Sequence, residues 1–136
     1  METYEKLTIR PENWKKLKLE YRYDSEDERY YLPGDFNIPA SLFDNLFDHQ
    51  KQGIQWLYNL WNQNKGGVLG DDMGLGKTVQ VAVYLKGLFD AGLIKKVLIV
   101  VPATLKTYWG EELNKWCFDC PNIIQFDDKK KSDRYD

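Results

Sequence analysis

The residues of this chain that can do chemistry are concentrated in one run, Gly70-Asp71-Asp72-Met73-Gly74-Leu75-Gly76-Lys77-Thr78. It lies between the short apolar stretch Val68-Leu69 and a helix-compatible stretch that opens at Val79. Glycines there let main-chain N–H groups curl around an anion with no Cβ in the way, and a helix behind them aims the positive end of its dipole at the same point. Lys77 would then reach the β- and γ-phosphates of a nucleoside triphosphate, and the Thr78 hydroxyl would bind Mg²⁺. The strict phosphate-loop spacing asks for Gly six residues before the Lys. This chain has Asp71 there, so the plain pattern fails at its first position while the core Gly-x-Gly-Lys-Thr stands.

The elements that must position this loop can be read on either side of it. A helix is expected to start near Asp48 as N-cap, with Ile54, Leu57 and Trp61 on one face and Leu60 beside them, and to end at Gly66-Gly67. Val68-Leu69 is then a strand that feeds the loop. The next helix is expected from about Lys77 to Asp90; it is apolar at Val79, Val81, Ala82, Val83, Leu85, Leu88 and Phe89, so little of its circumference faces water, and Gly92 stops it. The uninterrupted aliphatic run at 97–101 predicts a central parallel strand covered on both faces, closed by Pro102. A third helix is expected over about 104–116, with Trp109, Leu113 and Trp116 at helical spacing as core anchors, and a further strand over 123–126. The alternation of strand and helix predicts an α/β fold, a parallel sheet with helices on both faces and the nucleotide at the carboxyl end of its first strand.

Upstream, Leu17, Leu19, Tyr21 and Tyr23 alternate with charged residues as a half-buried strand would, and an acidic break follows at 24–28. After Pro33-Gly34 comes an extended piece at Phe36-Asn37-Ile38, and Pro39 suits the first turn of a brief helix through about Leu46. Residues 1–40 read as an N-terminal accessory segment and 41–136 as the nucleotide-binding part. The tail over 129–136 is charged and reads as a loop.

Composition narrows the function classes. A length of 136 residues suits one domain or a piece of one, and five Trp and nine Tyr supply apolar bulk for a core. The net charge of −2 gives no global pull toward nucleic acid, so such a contact must come from a local patch. No stretch approaches the length of a membrane span and the first residues lack the layout of a secretory signal, so no membrane partner is expected. Cys117 and Cys120 are the only cysteines. With no second pair and a placement at a helix end instead of a helix start, they are expected to be two free thiols, neither zinc ligands nor a redox pair.

Three ordered blocks, covering roughly residues 36–116, resemble the opening motifs of the Swi/Snf-type branch of superfamily two helicase-like ATPases. Leu46-Phe47-Asp48-His49-Gln50-Lys51-Gln52-Gly53-Ile54-Gln55-Trp56-Leu57 resembles the glutamine motif. Asp71-Asp72-Met73-Gly74-Leu75-Gly76-Lys77-Thr78 resembles that family's phosphate loop, in which Asp71 is ordinary and Asp72 stands where Glu is commoner. Val100-Val101-Pro102-Ala103-Thr104-Leu105, with Trp109, Glu112 and Trp116 after it, is similar to motif Ia. The wording around the loop and the upstream Phe36-Asn37-Ile38-Pro39 look most like the Cockayne syndrome group B and related repair and mitotic translocases.

This resemblance implies a partial RecA-like P-loop domain, the first half of the first lobe, ending before the acidic Walker B motif. It implies ATP and Mg²⁺ as cofactors, with Asp72, Met73, Gly74, Leu75, Gly76, Lys77, Thr78 and Val79 around the phosphates and Gln50 presenting its amide to the adenine edge. It implies that the amides of Ala103, Thr104 and Leu105 and the Thr104 hydroxyl hold one DNA phosphate, a contact that positions a strand without reading bases; the plainer reading of Thr104, compatible with that one, is a helix cap. In the full-length protein the activity implied is DNA-dependent ATP hydrolysis coupled to translocation on double-stranded DNA, in the nucleus, with chromatin, transcription or repair proteins as partners. The isolated piece is expected to be close to inactive, because phosphoryl transfer needs several such parts acting together.

Two other readings stand beside it. An RNA-acting ATPase of the same superfamily shares the loop, although Asp72-Met73-Gly74-Leu75 resembles the DNA-acting branch more. A catalytically inert interaction module, with Tyr30-Tyr31-Leu32 as an anchor, is the reading from a different class.

Overall fold

The computed structural model describes residues 8–9, 18–70 and 76–120, the first two by backbone placement alone. The expected strand at 123–126, the tail over 129–136, Leu17, and Asp72, Met73, Gly74 and Leu75 lie outside the described residues.

The chain order is β1 (Thr8–Ile9), β2 (Arg22–Asp24), β3 (Arg29–Tyr31), β4 (Asn37–Pro39), α1 (Ala40–Phe43), α2 (Asp48–Asn62), β5 (Val68–Leu69), α3 (Lys77–Asp90), a 3-10 turn (Ala103–Leu105) and α4 (Lys106–Trp116). Helix and strand are mixed, as a partial α/β domain requires. The three-stranded sheet is antiparallel in the order β2-β3-β4, with Tyr30 opposite both Tyr23 and Ile38. A parallel pair joins β1 to β5, Thr8 opposite Val68 and Ile9 opposite Leu69.

The β2-β3 connection forms because Asp24 Oδ1 accepts the N–H groups of both Glu26 and Asp27, and Glu28 takes a positive φ of 55°. The acidic break is therefore a hairpin loop, and Tyr30 and Tyr31 belong to its second strand. Pro39 ends β4, an edge strand where its missing N–H costs no ladder bond, and α1 starts one residue later.

Helix α2 ends earlier than its glycines suggested. Asn64 adopts φ 55°, its N–H donates to the Trp61 carbonyl and the Lys65 N–H donates to the Leu60 carbonyl, which closes the helix at Asn62, four residues before Gly66. Helix α3 has the expected bounds, and Gly92 at φ 71° stops it in the same way, with Leu93 N–H on the Leu88 carbonyl.

The main core is shared between the sheet and the helices. Leu32, Phe36 and Ile38 pack with Leu42, Phe43 and Leu46, with Ile54 and Tyr58 of α2, and with Val83 and Leu88 of α3. A smaller cluster, Ala82, Leu85, Leu113 and Cys117, holds α4 against α3, and the half-buried Trp116 packs on both clusters, as its helical spacing predicted.

Two expectations are corrected. Residues 97–101 form no strand: Leu98 is 80% and Val100 85% exposed, and the parallel sheet they were to centre is absent among the described residues. An aliphatic run becomes a strand only when a neighbouring strand takes its N–H and C=O groups, and none of the described strands pairs with it. Cys117 and Cys120 are not free thiols but a disulfide. The turn after α4, with Asp119 at φ 60°, brings their Cα atoms to 5.8 Å, within bridging range. No helix among the described residues is long and apolar enough to cross a membrane.

Candidate nucleotide site

The site is built where α2 and α3 begin. Gly76 is the N-cap of α3 in the left-handed region, φ 77° and ψ 48°, and a Cβ there would lie 2.4 Å from the Gln50 Nε2. Only glycine satisfies both the torsion and the approach. Gln50 occupies the third position of α2, buried, and its Oε1 accepts the Phe47 N–H at 2.9 Å. That bond caps the start of α2. Its other face lies against Gly76, so the glutamine block and the end of the phosphate loop meet through one side chain. The N-cap of α2 is Phe47, with Asp48 as the first helical residue, one place from the expected cap.

Lys77 and Thr78 follow in the first turn of α3, Lys77 exposed, Thr78 half-buried, and Val79 turned toward the main core. No acidic residue lies in that first turn. A cation at the positive end of a helix dipole is unfavourable by itself and becomes favourable when an anion binds between the ammonium and the open N–H groups. The local electrostatics therefore suit a phosphate. No group of three or more His, Cys, Asp or Glu that could hold a metal ion is found among the described residues.

Gly53 and Gln80 escaped sequence reading. A Cβ on Gly53 would fall 1.8 Å from Gln80 Oε1, so its absence lets α2 and α3 touch at that level. Gln80 is fully buried, and its Nε2 reaches the Gly76 carbonyl at 3.4 Å. The signal available in the sequence was a polar amide among the aliphatic residues of a mostly apolar helix, which also buries Lys86.

The motif Ia residues stand at the entrance of α4. Ala103, Thr104 and Leu105 are exposed and form the 3-10 turn, and the Leu105 N–H donates to the Pro102 carbonyl at 2.9 Å. The helix starts at Lys106, two residues later than expected, with Leu105 at the cap and no side-chain capping bond. Thr104 is therefore not the helix cap. Pro102 sets the turn, and a 3-10 turn uses the Leu105 N–H inside the main chain.

The glycine-entered helix, the amide packed against it and the lysine of the first turn lie together in a mixed helix-and-strand domain. The chain belongs to the SNF2-related domain family, whose profile matches residues 49–134. It is 52% identical over 79 residues to SNF2 domain-containing protein ENL1 of Oryza sativa subsp. japonica, 58% of this chain and 8% of that protein. It is 48% identical over 85 residues to DNA excision repair protein CSB of the same organism, 62% of this chain and 7% of that protein. With DNA excision repair protein ERCC-6-like of Mus musculus it is 51% identical over 102 residues, 72% of this chain and 8% of that protein. The chain thus spans less than a tenth of the length of these relatives.

Proposed function

We propose that this chain is the ATP-binding part of a DNA-dependent ATPase that translocates on duplex DNA in DNA repair or chromatin remodelling. The observation that carries the reading is the meeting of Gln50 with Gly76 at the start of α3, immediately before Lys77 and Thr78. The left-handed glycine at the start of α3, the first-turn amides behind it and the exposed cation of Lys77 fit the phosphates of a nucleotide with its Mg²⁺. Membership of the family and the repair and remodelling names of the relatives support the partner class.

In this reading the backbone N–H groups at the start of α3, with Asp72, Met73, Gly74, Leu75 and Gly76, surround the phosphates. Lys77 neutralises them, Thr78 offers a hydroxyl to Mg²⁺, and Val79 anchors the turn in the core. Mg²⁺, held by the Thr78 hydroxyl, would supply neutralisation of the phosphate charge. Gln50 selects adenine while holding Gly76 in register. The Thr104 hydroxyl, with the Ala103 and Thr104 amides, holds one phosphate of a DNA strand, the Leu105 amide being engaged by the Pro102 carbonyl. Residues 1–40 act as an accessory segment to 41–136, which form the first half of a RecA-like lobe whose parallel sheet is completed by further strands. Nuclear localisation follows from a DNA substrate.

Titration of the folded chain with a fluorescent ATP analogue and Mg²⁺ tests the site. Lys77→Ala should weaken binding by about tenfold or more, the loss of one charge-assisted contact, and Thr78→Ala should remove its dependence on Mg²⁺. Equal affinity in the wild type and Lys77→Ala, with circular dichroism unchanged, would overturn the reading.

A further inference from the structure

The turn that follows α4 closes over a buried cation. Lys86, in the third turn of α3, is 3% exposed, and its ammonium has three neighbours that satisfy it. Nζ donates to the Phe118 carbonyl at 2.6 Å, pairs with Asp90 Oδ1 at 3.1 Å and lies 4.3 Å from the centre of the Phe118 ring. Two of the three come from one residue, Phe118, and Phe118 is bracketed by Cys117 and the Asp119-Cys120 pair. The disulfide therefore spans the very turn that covers Lys86. Cys117 itself is buried in the small cluster between α3 and α4, with Cys120 half-buried on its rim.

We propose that Cys117 and Cys120 are a reversible thiol–disulfide clasp whose oxidised form holds the Phe118 carbonyl on the Lys86 ammonium and so locks α4 to α3. A bridge between residues three apart removes little chain entropy, because the loop it closes is short. Its effect must come from what the closed turn does locally, and what it does is complete the coordination of a lysine that burial would otherwise leave short of acceptors. The inference does not depend on nucleotide binding.

The exchange partner is a dithiol reductant. Its thiolate attacks the sulfur of Cys120, the less buried of the two; a mixed disulfide forms there, the protein S–S bond breaks, and the Cys117 sulfur leaves as a thiolate that takes up a proton. The second thiol of the reagent then displaces Cys120, which is protonated in turn. Two electrons and two protons pass to the protein, and the dithiol is oxidised to its cyclic disulfide. The turn is then free to open, and Lys86 loses the carbonyl and the ring together.

The test uses the whole chain, oxidised with glutathione disulfide or reduced with dithiothreitol, with alkylation and intact mass reporting the redox state. Reduction should lower the thermal midpoint by on the order of 5 °C, the response of a small domain to losing one charge-assisted hydrogen bond. Lys86→Met should abolish that redox-dependent difference, since the route through the ammonium is gone. In the wild type labelled at lysine with ¹⁵N, the Lys86 ammonium signal should be protected from water in the oxidised form and broaden away on reduction, a readout that needs no variant to fold. Failure of glutathione disulfide to form the bridge, identical midpoints in the two states, a redox difference that persists in Lys86→Met, or an ammonium signal unchanged by reduction would each overturn the clasp.

Discussion

Tyr84 sits on α3 with its ring 6.0 Å from that of Phe36, and partial burial pushes its phenol up to about 12 from an ordinary value of 10, with Tyr58 nearby adding to the shift. The folded state thus favours the neutral phenol. Between pH 10 and 12 the unfolded chain gives up this proton while the folded chain keeps it, so stability is complete below pH 10 and falls as pH rises through the folded value. Tyr84→Phe should therefore make the decline between pH 10 and 12 shallower in urea unfolding, with the remaining slope carried by groups such as Tyr21, whose phenol burial also pushes up. An identical slope in the variant would show that Tyr84 does not carry this linkage. At the same scale, Gln50 stood out in the sequence through its neighbours in a motif and Gln80 did not, because the burial of Gln80 depends on Gly53, which packing brings to it from another helix.

Helices α2 and α3 were legible because a 3.6-residue apolar period is written within the element itself, and so was the stop at Gly92. The strand at 97–101 was not, since a strand is defined by partners and an aliphatic run carries no record of whether they are at hand. What the period also hides is the close packing of elements. Gly87 lies inside α3, where alanine would gain about 1 kcal/mol of helix propensity. A Cβ at that position would meet Phe36 Cε2 at 2.4 Å and Cζ at 2.5 Å, with the Asn37 carbonyl at 3.1 Å. Phe36 is fully buried, so neither ring nor main chain can yield cheaply, and overpacking of this kind costs about 1–3 kcal/mol. Gly87→Ala should be net destabilising by urea unfolding, whereas Gly66→Ala, with nothing within 4 Å of the new methyl, should leave the midpoint unchanged or raised. A midpoint for Gly87→Ala at or above that of the wild type would mean that α3 and β4 can separate without cost.

Across the whole molecule, one carboxylate ties the three parts together. Asp90, at the last position of α3, pairs through Oδ2 with Arg29 of β3 and through Oδ1 with Lys86, whose ammonium continues to the Phe118 carbonyl beyond α4. Arg29 is itself held by the Asn37 side chain of β4, so the line of contacts runs from the antiparallel sheet through α3 to the turn after α4. The two cations are not equivalent. The Arg29 side chain keeps 26% of its exposure and can turn to water when its partner is lost, while Lys86 keeps 4% and cannot. Removing the carboxylate leaves a buried ammonium with only a carbonyl and a ring for company, the case in which breaking a pair costs about 3–5 kcal/mol. Asp90→Ala should therefore destabilise on that scale, and Arg29→Ala by clearly less, because Asp90 then keeps Lys86. Urea unfolding of Asp90→Ala, Lys86→Met and the double variant supplies the decisive comparison: the double variant should be more stable than Asp90→Ala alone, since it removes the stranded charge together with its partner. Additive losses in the double variant would mean that the energy of Asp90 does not lie in neutralising Lys86, and that sheet and helices are joined by their apolar core alone.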